Sequence, residues 1–203
     1  MHEEAQRHLS QADRVLARVI REVGPCTIRP RRSCPPFQSL VQAVAHQQLN
    51  GTAAQTILKR FIALFPGTKF PSPEHILAAT DEQLRSAGLS RAKAAAIKDI
   101  ALKTTTGHVP TRRDAARLTD AELVARLTEI RGVGPWTVAM FLIFTLGRRD
   151  VLPVGDYGVR CGFAKAYGWK ELPTPKELLA EGERWRPYRS IAAWYMWRVL
   201  DAK

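Results

Sequence analysis

The chain has 203 residues, enough to bury a core in one domain or two closely joined lobes. Lys and Arg number 31 against 19 Asp and Glu, and the resulting formal charge of +12 favours a polyanion partner such as nucleic acid. No apolar run reaches the roughly 20 residues of a membrane span, and the opening MHEEAQRH lacks the apolar centre of a signal peptide. Three cysteines in no paired pattern suit a reducing cytoplasm, with nucleoid association if the source is bacterial. They make no Cys-x-x-Cys site, and the five histidines are scattered, so neither a metal nor any other cofactor is expected.

Leu9, Ala12, Leu16, Val19 and Ile20 recur at helical spacing, which predicts one helix from His8 to Val23, ended by Gly24-Pro25. Residues 25–36, PCTIRPRRSCPP, read as an irregular connection, either solvated or in contact with phosphates. The next helix places Phe37, Leu40, Val41, Val44 and Ala45 on one stripe and runs into HQQLNGTAA, where Asn50-Gly51 interrupts the pattern. A further helix buries Ala54, Ile57, Leu58, Phe61, Ile62 and Phe65. On structural grounds alone, Gln47, Gln48 and Asn50 at the polar tip would bond to the helix ends beside them. Ser72-Pro73 starts another helix, and Thr80 with Gln83 makes a capping box. In LRSAGLSRAKAAAIKDIA, Gly88 ends one helix and Ser90 caps the next, whose Ala-rich face suits close packing. Residues 104–118 read as a polar link.

The stretch from Leu127 to Arg160, LTEIRGVGPWTVAMFLIFTLGRRDVLPVGDYGVR, organises the rest. Thr119 and Glu122 form a capping box for the helix carrying Leu123, Leu127 and Ile130. Gly132 and Gly134 break that helix, and Pro135 suits the first position of a new one. The apolar run Val138 to Phe144 predicts a second helix buried on nearly every side. The turn then presents backbone N–H groups at a helix N-terminus, which is a phosphate-binding arrangement as well as an ordinary turn. Asp156 follows an apolar segment and Gly155, and either caps the helix beginning at Tyr157 or supplies a lone carboxylate to a site. That helix is expected to reach about Tyr167. Thr174, Pro175 and Glu177 start another, and the last begins near Tyr188 with Ile191, Trp194, Tyr195, Trp197 and Val199. Trp185 and Trp194 read as core. Strand signals are almost absent, so the fold class is all-α.

Taken jointly, a Leu-x-x-Ile-x-Gly-Val-Gly hairpin, a buried helix and then Val-Leu-Pro-Val-Gly-Asp resemble the helix-hairpin-helix (HhH-GPD) DNA glycosylases, and within them the 3-methyladenine-DNA glycosylase II branch. The likeness covers most of residues 38–200. It implies one glycosylase unit over 1–203 made of two helical lobes with an active-site cleft between them. Residues 38–146 would form the central lobe with the hairpin, and 1–37 plus 147–203 the second. By resemblance Asp156 is the catalytic residue, and Gly132, Val133, Gly134 and Thr137 contact DNA. His46-Gln47-Gln48-Leu49 matches the family's Ser-Gln-Gln-Val or Gly-Gln-Leu-Val segment, which supplies the side chain that enters the duplex. Gln48 aligns best with that wedge and Leu49 is its neighbour. WRPYRSIAAWYMW matches the family's WRPWRSYALLHIW, whose final Trp, here Trp197, lines the base pocket together with Trp136, Tyr157 and His46. His46 stands where a small residue is common. The family also shows a Gly-Leu-Ser…Lys-Ala segment, matched at Gly88 to Ala94. Some relatives hold an iron–sulfur cluster on closely spaced C-terminal cysteines, and this chain has none after Cys161.

The implied partner is double-stranded DNA containing alkylated bases, met by a monomer that does not engage a membrane. The implied reaction is hydrolytic removal of alkylated purines of the 3-methyladenine and 7-methylguanine type. The base must be extruded before its glycosidic bond is reachable. The bond breaks through an oxocarbenium-like state, which a carboxylate stabilises while orienting the attacking water. Relatives that also cut the strand carry Gly-Val-Gly-x-Lys, and here that position is Trp136, which points to a monofunctional enzyme. Two alternatives stand beside this reading. One is a hairpin module that binds DNA without catalysis, and the other is a strand-cleaving glycosylase using another lysine such as Lys165.

Overall fold

The computed structural model describes residues 2–48 and 51–201, and among these there is no strand. In chain order the helices are α1 (Glu3–Ala12), α2 (Arg14–Val23), α3 (Pro36–His46), α4 (Gly51–Ala63), α5 (Pro73–Ala78), α6 (Asp81–Ser86) and α7 (Arg91–Thr105). They continue with α8 (Arg112–Ala115), α9 (Asp120–Leu127), α10 (Pro135–Phe141), α11 (Tyr157–Tyr167), α12 (Pro175–Glu181) and α13 (Arg189–Asp201). Two compact units emerge, Arg31–Phe141 and the pairing of Met1–Pro30 with Leu142–Lys203. These limits replace the 38 and 146 expected from sequence. At the first, Arg112 donates to the carbonyls of Arg31 and Cys34 at 3.2 and 2.8 Å, which ties the connection to the middle unit. At the second, the helix that begins as α10 changes to a π-helical turn over Leu142–Leu146.

In the middle unit, α3 packs on α7 and α10. Leu40, Val41 and Val44 are buried on α3, as are Ala94, Ile97 and Ala101 on α7 and Val138 and Phe141 on α10. Alanines on α7 leave room for the larger α3 side chains, which is why an Ala-rich helix serves here. Side chains cap the helix starts. The boxes at Thr80/Gln83, Thr119/Glu122 and Thr174/Glu177 form as expected, and Ser72 closes its own box with His75. The stretch 104–118 is not wholly a link. It contains α8, capped where the Asp114 N–H donates to the Thr111 hydroxyl at 3.2 Å.

In the other unit, α13 packs on α11 and α2. Every residue from Arg189 to Met196 is buried, so the first two turns of α13 have no solvent face, while Leu200 and Asp201 near its end are exposed. The single helix expected over His8–Val23 is two, because Asp13 interrupts it. Its carboxylate accepts from the N–H groups of Val15 and Leu16 at 2.9 and 3.1 Å and so starts α2. The other carboxylate oxygen accepts from Trp185 Nε1 at 3.0 Å and from the Tyr167 hydroxyl. Periodicity misses this break because the apolar positions stay in phase across it.

Asp13 is only 5% exposed. Burial pushes its pKa up, but hydrogen bonds from Tyr167, Trp185 and the Leu16 N–H, with Arg184 nearby, leave the carboxyl below its ordinary 3.8. A depressed carboxyl stabilises the fold above the unfolded-state value, and that contribution fades as pH falls through the folded-state value. Asp13→Ala is expected to cost about 2–4 kcal/mol near neutral pH, because it strands buried donors. Urea unfolding across pH 3–7 checks this, and the variant should also show a shallower loss of stability on acidification than the wild type.

Candidate active site

Asp156 sits at the N-cap of α11, 8% exposed. The Val159 N–H donates to its Oδ1 at 2.8 Å, and Trp197 Nε1 donates to the same oxygen at 2.9 Å. The carboxylate is therefore a cap and also a partner of an aromatic side chain on a different helix. Two donors on one oxygen fix its plane and direction.

The segment leading to Asp156 is held by the start of α13. Arg189, 9% exposed, grips Asp150 with Nε to Oδ1 at 2.7 Å and Nη2 to Oδ2 at 3.0 Å, and it reaches Glu183 Oε1 at 3.1 Å through Nη1. This is the bidentate geometry for which a guanidinium is shaped. The Ser190 hydroxyl donates to the Arg148 carbonyl at 2.8 Å and accepts from the Val151 N–H at 2.9 Å. Further along, the Asp156 N–H donates to the Pro153 carbonyl at 2.9 Å, closing a turn. Loop and helix are thus fastened together before Trp197 meets Asp156.

Two glycines allow that meeting. A Cβ at Gly158 would stand 3.0 Å from Trp197 Cδ1 and 3.2 Å from Asp156 Oδ1. A Cβ at Gly162 would run into the Met196 carbonyl. Gly158 and Gly162 lie on one face of α11, and bare backbone there brings α13 close enough for Trp197 to bond Asp156. The Trp197 ring also stacks on Phe144, centroids 5.7 Å apart. Tyr157 is 69% exposed, and its phenol is held above its ordinary range chiefly by a hydrogen bond with Cys161. Lys165 donates to the Val199 carbonyl at 2.9 Å.

The hairpin lies in the middle unit. Val133 and Ile130 are buried, anchoring the turn from below. Gly132 has φ +74° and stands so close to α7 that a Cβ would be 2.9 Å from the Ala96 side chain. Gly134 has open space where a Cβ would stand. The Arg131 N–H donates to Asp99 Oδ2 at 2.7 Å. Trp136, at the second position of α10, is 43% exposed. Thr137 is buried, and its hydroxyl accepts from Gln47 Nε2 at 3.1 Å, so that side chain is engaged within the protein. His46 Nδ1 donates to the Gln42 carbonyl at 2.7 Å along its own helix.

The sequence-derived residues thus fall into two groups. Asp156, Tyr157 and Trp197 belong to one unit, with Asp156 and Trp197 bonded. His46, Gln48, Gly132, Val133, Gly134, Trp136 and Thr137 belong to the other, and Leu49 lies outside the described residues. Sequence reasoning did not foresee the Asp150–Arg189 clamp or the Gly158–Gly162 contact. The Gly-x-x-x-Gly spacing on α11 was the available signal for the contact. A cavity of about 460 Å³ in the middle unit, bounded by Pro35, Phe37, Val109, Pro110 and Arg112, shares no residue with this set. Among the described residues, no group of three or more His, Cys, Asp or Glu side chains could hold a metal.

An all-helical chain with a glycine hairpin and a helix-capping Asp bonded to a Trp has the architecture of a helix-hairpin-helix protein. Residues 41–187 match the family of HhH-GPD superfamily base excision DNA repair proteins. The chain is 40% identical over 198 residues to DNA-3-methyladenine glycosylase 1 of Schizosaccharomyces pombe, covering 96% of this chain and 86% of that one. The solved S. pombe 3-methyladenine DNA glycosylase in complex with abasic DNA superposes with a TM-score of 0.87 at 40% identity, covering 96% and 95% of the two chains. A DNA-3-methyladenine glycosidase from Bacillus halodurans superposes at 0.86 with 32% identity, covering 98% and 90%. The chain belongs to the HhH-GPD superfamily, and these relatives carry the 3-methyladenine glycosylase name.

Gly162→Ala is expected to push α11 and α13 apart and to cost about 1–3 kcal/mol through overpacking. Denaturant unfolding reads the loss. An unchanged midpoint would contradict the close approach.

Proposed function

We propose that this protein is a base excision repair glycosylase that binds double-stranded DNA and hydrolytically removes alkylated purines, with Asp156 as its catalytic carboxylate. The observation that carries the reading is the bond from Trp197 Nε1 to Asp156 Oδ1 at 2.9 Å, which holds the carboxylate at a helix N-terminus against an aromatic ring. The family and its relatives named 3-methyladenine glycosylases support the substrate class, and the abasic-DNA complex of one relative supports the polymer.

In the proposed reaction, backbone N–H groups of the hairpin turn other than that of Val133, which donates to the Ile130 carbonyl at 3.0 Å, take a DNA phosphate, and the protein's +12 charge strengthens that contact. The damaged nucleotide leaves the stack, and the Gln48 side chain fills the space. Trp136, 43% exposed at the start of α10, offers an indole face to the extruded base. A cationic alkylpurine gains a cation–π attraction there of about 0.5–2 kcal/mol. Its positive charge also makes it a good leaving group, so the protein need not protonate it. As the bond to C1′ lengthens, the sugar becomes positive and Asp156 stabilises it, then guides a water to C1′. The product is a free purine and an intact strand with an abasic site. Trp136 stands where a strand-cleaving relative has its lysine, and the Lys165 ammonium is engaged with the Val199 carbonyl. Both features favour hydrolysis over Schiff-base chemistry.

Asp156→Asn separates catalysis from capping. Asparagine keeps an oxygen that can accept from Val159 and Trp197, so the melting temperature should hardly change. Single-turnover base release should fall about 100-fold or more, and furthest for neutral bases, which depart poorly without help. Full activity of the Asn variant on every substrate would reduce Asp156 to a helix cap.

A further inference from the structure

The C-terminus of α3 ends beside the turn assigned to the wedge, and helix C-termini leave carbonyls without intrahelical partners. No glycine cap closes this one. Instead, Lys93 of α7 sends its ammonium to the carbonyls of Ala45 at 2.9 Å and Gln47 at 2.7 Å. The Gln47 side chain turns towards the hairpin, where its Nε2 donates to the Gly132 carbonyl at 2.9 Å and to the Thr137 hydroxyl at 3.1 Å. Residue 47 is thereby held at its backbone by α7 and at its side chain by the hairpin. The next residue, Gln48, is exposed with φ +57°, the one non-glycine positive φ among the described residues. A glutamine adopts that left-handed conformation only where its surroundings impose it.

We propose that Lys93 and Gln47 are positioning residues which lock the wedge turn to the hairpin, so that Gln48 is aimed at the duplex once the hairpin holds its phosphate. The inference rests on the glycosylase reading and gives the Gly-Leu-Ser…Lys-Ala segment a task beyond packing. The ammonium neutralises the negative end of α3 and fixes the carbonyl of the residue just before the wedge. The amide makes the distance between hairpin and wedge a property of the folded protein instead of a cost at binding. Neither side chain is placed at the reacting atoms, so their loss should matter where extrusion is difficult and matter little where it is easy.

The experiment measures single-turnover release of 7-methylguanine from two duplexes that differ only opposite the lesion, where one has cytosine and the other lacks a base. Lys93→Met and Gln47→Met remove the donors with little change in bulk. Each should release the base from the cytosine duplex roughly tenfold or more slowly than the wild type, the scale expected for lost hydrogen bonds at a part-buried helix end. With no opposing base, extrusion is cheap, and release should lie within about threefold of wild type. Such a split would not arise from general destabilisation. Equal slowing on both duplexes, or none on the cytosine duplex, would overturn the proposal. If Lys93→Met fails to fold, Gln47→Met decides. A wild-type protein that releases base from neither duplex would instead overturn the glycosylase reading itself.

Discussion

The hydrogen bond between Trp197 and Asp156 is the constraint on which the rest of its unit depends. It joins the first turn of α11 to the middle of α13, so the two helix axes must lie closer than ordinary side chains permit. Gly158 and Gly162 remove the Cβ atoms that would intervene. The loop before Asp156 must then arrive at a fixed height along α13, and Arg189 and Ser190 set that height by gripping Asp150, Arg148 and Val151. Small changes in any of these contacts would turn the carboxylate. The proposed stabilisation of an oxocarbenium ion requires a carboxylate already in position, and this packing would hold Asp156 there.

The middle unit solves a different problem with similar means. Its hairpin is rigid because Val133 and Ile130 are buried beneath it and Gly132 rests against Ala96. The backbone at Gly134 meanwhile stays open. A phosphate site needs both properties, since a loose turn would pay entropy on binding and a crowded one would exclude the ligand. The same turn receives Gln47, so the part of the unit suited to phosphate is fastened to the part suited to entering the stack. Fixed backbone geometry thus underlies both proposed DNA contacts.

Much of this was legible in the sequence because it is local. Thr119 with Glu122 marks a helix start by chemistry that needs no tertiary partner, and Gly132-Val133-Gly134-Pro135 marks a turn in the same way. Asp156 was visible as a carboxylate after a glycine, with capping and catalysis both open. Its bond with Trp197 was not visible, because Trp197 reaches Asp156 from a helix far along the chain. Asp13 was hidden for the same reason, since its donors include Trp185 and Tyr167, and the apolar stripe runs through the break undisturbed. Arg189 lies within the WRPYRSIAAWYMW segment, yet nothing local pairs it with Asp150. Lys93 sat in a segment best explained by packing, and only the three-dimensional end of α3 gives its ammonium something to bind. The domain limits shifted because Arg112, not the composition of the connection, decides which unit holds residues 31–37.

The central claim is that this arrangement hydrolyses an N-glycosidic bond and leaves the strand whole. The most direct measurement incubates the purified wild-type protein with methylated duplex DNA and identifies both products, with borohydride present in a parallel reaction. The account predicts free 3-methyladenine and 7-methylguanine, an unbroken strand that breaks only on later treatment with alkali, and no protein–DNA adduct in the borohydride reaction. Absence of released base, or a trapped covalent adduct with the wild-type protein, would contradict it.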